Sequence, residues 1–166
     1  MIFDDATLVQ MLRRSYVACD GLWFVKAEEA HDLETAFDLD ERVWQVMPKI
    51  QARKARELLG IEGGGLEELG QCFALKLASE GHEFEVMGPA DGELVVEVTK
   101  CQWRAVMERA GRGHLGSEIA HRICAKEGAA WAREFSDEIS FTLDANMFEG
   151  GCACRFVFTQ AQAERE

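Results

Sequence analysis

The chain has 166 residues, 48% of them apolar and only two of them proline, which suits one ordered domain with a core that needs no covalent staples. Thirty acidic side chains outnumber 18 basic ones, a formal charge of -12, which argues against a nucleic-acid backbone or an anionic membrane as partner. No apolar run approaches the roughly 18 residues of a membrane span, and the start MIFDDATLVQ lacks the basic flank and apolar centre of a signal peptide. A cytoplasmic protein is expected, with its six cysteines (19, 72, 101, 124, 152 and 154) kept as thiols.

Residues 5–31 read as one long helix, capped by Asp4 or Asp5, with Leu8, Met11, Leu12, Cys19, Leu22 and Trp23 at helical spacing. It is expected to bury Leu22 and Trp23 against a sheet or a second copy of the chain; apolar residues on more than one side suit a homodimer. At its end Glu28, Glu29, His31 and Asp32 form a polar cluster, read either as a solvated helix end or as a metal or acid/base group. A second helical region is expected over 38–59, kinked or broken at Pro48 and stopped at Gly60. After the glycine joint 63–65, a third helix covers 66–80.

Beyond Gly81 the apolar period changes to two. In HEFEVM, His82, Phe84 and Val86 share a face, and in ELVVEVTK so do Leu94, Val96 and Val98. GPADG between them is turn chemistry, so the pair reads as a hairpin. Helices are expected over 102–110 and 116–135. The loop between them, Gly111-Arg112-Gly113-His114-Leu115-Gly116, matches a dinucleotide fingerprint in letters only, since no strand precedes it. A second hairpin closes the chain, from EISFTLDA to GGCACRFVF, before a tail, AQAERE, that is expected to fray. The fold class is therefore α+β: helices, then two hairpins with helices between, giving a four-stranded antiparallel sheet covered by helices. The chain reads as a single domain over 1–166, with a helical part at 1–80 and a hairpin–helix–helix–hairpin part at 81–160.

The cysteines carry the chemistry in this pattern. Cys101 follows a strand and opens a helix, where the dipole favours a thiolate that can ligate metal or attack an electrophile. Cys124 has His121 three residues before it and Glu127 three after, on one helical face. Strand parity puts Cys152 and Cys154 on the side of Phe156 and Phe158. If the last strand pairs antiparallel with ELVVEVTK, Cys101 meets them, and four sulfurs converge with His121 as a substitute. Such a group would hold zinc or iron, act as a nucleophilic site, or simply fill a core; the spacing fits no zinc finger.

Two stretches carry a family resemblance. CDGLWFVKAEEAHDLETAFDLDERVW with GIEGGGLEELG resembles an uncharacterised family of small prokaryotic proteins. VTKC, the later Cys124 and GGCACRF are similar to the L-2-amino-thiazoline-4-carboxylic acid hydrolase family, with Cys101, Cys124 and Cys154-Arg155-Phe156 at the matching positions. That likeness implies hydrolytic opening of a small cyclic C–N/C–S substrate. Glu127 stands where the pattern has an aspartate, and Cys152 is an addition. On this reading Cys101 or Cys124 is nucleophile or metal ligand, and Glu127 or His121 moves the proton. The other reading is a small-molecule-binding module, similar in layout to 4-vinyl reductase-like sensing domains, with the cysteines holding a structural metal.

Overall fold

Asp4 starts the first helix by accepting the Thr7 amide at 2.7 Å, which pairs one of the free donors at the head of α1 (Asp5–Ala30). The computed structural model describes residues 2–161, so all of the AQAERE tail except Ala161 lies outside the described residues. Asp32 accepts the Thr35 amide at 2.7 Å and caps α2 (Leu33–Trp44) in the same way. The single helix expected over 38–59 is instead two, α2 and α3 (Met47–Leu59). Pro48 stands in the first turn of α3, where its missing N–H costs nothing, so the chain breaks rather than kinks. Gly60 and Gly81, at φ 65° and 82°, end α3 and α4 (Leu66–Glu80) in the left-handed region that glycine enters freely.

The four strands are β1 (Glu83–Ala90), β2 (Glu93–Lys100), β3 (Ile139–Ala145) and β4 (Cys154–Gln160). They form one antiparallel sheet in the order β1-β2-β4-β3, and the α+β expectation holds. The first turn is tighter than GPADG suggested: Gly88, Pro89 and Ala90 extend β1, and Asp91-Gly92 makes the reversal. Leu94, Val96 and Val98 pair with Phe158, Phe156 and Cys154, so the apolar rows of the two inner strands lie side by side. α4 and α7 (Ala125–Phe135) cover that face, and Phe73 of α4 packs against the rings of Trp131, Phe156 and Phe158 at 5.2–5.6 Å.

Between the hairpins run α5 (Gln102–Arg109), a 3-10 turn at Gly113–Leu115, α6 (Gly116–Ile119) and a π turn at Ala120–Cys124 that leads directly into α7. The glycine sequence 111–116 joins helices, as read. The π turn is unforeseen. In it the Ala125 N–H bonds to Ala120 O, five residues back, so the side chains after it are turned relative to those before.

Of the two expectations for α1, burial against the sheet does not hold: Leu22 and Trp23 are 59% and 73% exposed in the single chain, and Val17 is the residue of α1 that is buried. The sheet's covered face is already filled by α4 and α7, and α1 packs instead on α2, tied to the end of α4 through Arg13. The polar cluster ending α1 is absorbed locally: Asp32 caps α2, Glu29 pairs with Lys26, and Glu28 pairs with Arg112. Among the described residues, no helix is long and apolar enough to cross a membrane.

Candidate functional site

A chamber of about 410 Å³ opens between α1, α2, α5 and the 113–123 segment. Its wall is mostly apolar: Val17, Leu22, Phe24, Val106, Leu115 and Ile119 belong to it. The polar side chains on it are Asp20, Asp40 and Arg112, with the indole of Trp44 beside the two carboxyls. Arg112 is engaged elsewhere, since its guanidinium pairs with Glu28 and lies 5.7 Å from the Phe24 ring centre. A second cavity, of about 60 Å³, adjoins the chamber, because Trp44, Trp103, Met107, Ile119 and Ile123 line both.

The second cavity is where the chemistry gathers. Lys76, Glu80, His82, Cys101, Cys124, Glu127 and Cys154 all line it. Lys76 and Glu80 stand one turn apart on α4, and Glu127 reaches them from α7. The Lys76 ammonium forms ion pairs with Glu80 at 2.9 Å and with Glu127 at 2.7 Å, and all three side chains are buried. Glu80 also accepts from His82 Nε2 at 3.1 Å and from the Gln51 side-chain amide at 3.1 Å. His82 Nδ1 accepts the backbone N–H of Gln102 at 3.2 Å, and the Cys101 thiol lies beside the ring. The result is a chain of polar contacts from Lys76 through Glu80 to His82, with Cys101 lining the same cavity.

Electrostatics divides these groups. Burial pushes Glu127 up despite Lys76, so of the two carboxyls it is the one that holds a proton more readily. Burial acts the same way on Glu80, but Lys76 and His82 outweigh it and keep Glu80 ionised. Burial would lower His82, yet Cys101 and Glu80 together push it up to about 9. Nδ1 accepts the Gln102 N–H in this geometry, so a proton placed there means releasing the Gln102 amide. Burial raises the thiols of Cys124 and Cys154, Cys124 well above its ordinary value, and this keeps both in the inert protonated form.

The expected site residues divide accordingly. Cys101, Cys124, Cys154 and Glu127 meet at one cavity. Cys152 does not. It is exposed and precedes β4, whose ladder begins only at the Val98–Cys154 pair, so strand parity has no hold on it. Nor does His121, which points outward and bonds Glu149 at 2.7 Å, because the π turn parts it from Cys124 and Glu127. The arrangement does not fit zinc or iron. Among the described residues no three His, Cys, Asp or Glu side chains are grouped to hold a metal, and the Lys76 ammonium already lies between the two buried carboxyls.

His82, Lys76 and Glu80 were missed from sequence, although a signal existed for the first. Glu83 pairs with Lys100, so continuing the hairpin by one step places His82 opposite Cys101. Lys76 and Glu80 read as an ordinary helical ion pair, and only the third partner, Glu127, gives them weight.

Residues 4–143 match a family of unknown function, DUF6125, and the chain belongs to that family. No curated protein matches the chain.

Proposed function

We propose that this DUF6125 member is a hydrolase that opens a C–N bond of a small cyclic amidine-like substrate, with Cys101 as nucleophile. The observation that carries this reading is the row of half-buried Cys101, His82 and buried Glu80 in a cavity adjoining an apolar chamber. Nucleophile, base and a carboxylate that orients the base are what covalent hydrolysis requires. The similarity of VTKC and GGCACRF to the thiazoline-carboxylate hydrolase family adds support from outside the geometry.

In this scheme sulfur adds to the amidine carbon and the thiol proton passes by way of His82 to the departing nitrogen. One C–N bond breaks and a thioimidate remains on Cys101. Water then attacks that carbon, the C–S bond breaks, and the proton returns to sulfur. Glu80, kept ionised by Lys76, holds His82 in the tautomer whose Nδ1 can receive a proton, and Glu127, whose carboxyl burial pushes up, stands in the same cavity. Cys124 and Cys154 shape the cavity as small apolar groups. Free thiols of this kind belong in a reducing compartment such as the cytoplasm.

The test is turnover of cyclic amidines such as 2-aminothiazoline, with and without a 4-carboxylate, followed as appearance of the amine that C–N cleavage releases. Wild type should turn over at least one of them, Cys101→Ser should lose about 1,000-fold or more, and His82→Asn about 100-fold or more. If wild type turns over none while still binding ligands in the chamber, the protein is a binding module, the reading that draws on the chamber alone.

A further inference from the structure

Asp20 projects from α1 and Asp40 from α2, and both line the same wall of the apolar chamber. The charges that act on them are carboxylates rather than cations: Glu80 and Glu127 on Asp20, and Asp20 itself on Asp40. The Trp44 indole is their polar neighbour, and neither carboxyl has an ion-pair partner among the described residues. Arg112, the other charged lining group, is neutralised by Glu28. The chamber is therefore an apolar space, within the ordinary size range of ligand sites, about 300–1,000 Å³, with two uncompensated acids on one wall. A ligand that was apolar throughout would leave both acids facing it without a partner, and an anionic one would be repelled.

We propose that the chamber takes a molecule with an apolar body and one protonated nitrogen group, an amidinium or an ammonium, whose charge is received by Asp20 and Asp40. This rests on the chamber being the substrate's space and names the substrate's charge. An amidinium suits the wall best, since its two nitrogens can serve two carboxylates at once. Trp44 and Trp103 supply aromatic surface beside the same charge. Trp44 also lines the cavity of Cys101, so the two spaces adjoin at this residue.

Burial pushes the two carboxyls up, to about 6 for Asp20 and about 7 for Asp40. A bound cation must draw both into the ionised form, so binding near pH 6.5 should release protons. Calorimetry with benzamidine, benzamide and benzoate on the wild-type chain tests the proposal. Benzamidine should bind about tenfold or more tighter than neutral benzamide, with benzoate weakest, in keeping with charge-assisted hydrogen bonds. Its heat at pH 6.5 should depend on the buffer's ionisation heat, reporting the released protons. Asp20→Asn and Asp40→Asn should each reduce the benzamidine preference while benzamide binding stays the same. Equal binding of benzamidine and benzamide, binding of none of the three, or a preference that survives Asp20→Asn/Asp40→Asn overturns the proposal. Repeating the titration with Cys101→Ser separates it from the catalytic reading, because cation selectivity without the thiol stands whether or not the protein turns over substrate.

Discussion

Lys76 is the residue on which the inner cavity depends. It gives one positive charge to two buried carboxylates, and Lys76→Met would leave Glu80 and Glu127 facing each other in a dry site. That change is expected to cost about 3–5 kcal/mol in urea denaturation; a loss below about 1 kcal/mol would mean that the cluster is hydrated or already neutral. Asp40 gives a prediction of opposite sign. Its carboxyl is raised by burial to about 7, while an unfolded aspartate titrates near ~3.9. Between those values the folded protein binds protons that the unfolded chain has released, so this group lowers stability as pH rises from about 4 to about 7. Asp40→Asn removes that penalty. It should stabilise the protein at pH 8 by on the order of 1–2 kcal/mol, given the partial exposure of the site, and leave it unchanged at pH 4. Thermal melts at the two pH values decide it, and a gain that does not vary with pH contradicts the assignment.

At the scale of elements, the sequence was readable wherever local periodicity set the structure. Leu94, Val96 and Val98 alternate because strand geometry alternates, and the core side of β2 follows directly. Cys152 was misplaced because where β4 begins is decided by pairing with Val98, not by the letters of GGCACRFVF. His121 was misplaced for a different reason: the π turn at 120–124 changes the angular spacing, and nothing in AHRIC announces one. Leu22 and Trp23 have core-like character, yet which helix covers the sheet depends on competition with α4 and α7. Close helix–sheet approach makes a further test. A Cβ at Gly128 of α7 would run into the Phe141 ring of β3, so Gly128→Ala should cost about 1–3 kcal/mol even though alanine favours helix. α1 is held differently: Arg13 donates to Ala78 O at 2.7 Å and to Ser79 O at 2.9 Å, at the end of α4. Arg13→Ala should speed hydrogen exchange along α1 and leave β2 and β4 protected.

On the scale of the whole molecule, the fold divides into a packed core and the helices that cover one edge of it. The sheet with α4 and α7 forms the core, and it carries Glu80, Glu127 and Cys154 with His82 and Cys101 at its edge. α1, α2 and α5 close over that edge and make the apolar chamber from their inner sides. The chemistry thus sits at the edge of the packed core, and the chamber lies under the helices that cover that edge. Access to the thiol is then a property of the cover, and reactivity a property of the core.

The central claim, that Cys101 is a nucleophile served by His82, is tested most directly by the rate of alkylation of each cysteine at pH 7, read by mass spectrometry of peptides after timed exposure to iodoacetamide. Cys19 and Cys152 are exposed and provide internal references for an unassisted thiol. The account predicts that half-buried Cys101 reacts about tenfold or more faster than either, and that His82→Asn brings it down to or below their rate. If Cys19 and Cys152 react first and Cys101 follows at a rate indifferent to His82→Asn, then the cysteine beside His82 is a packing residue and the hydrolase reading is wrong.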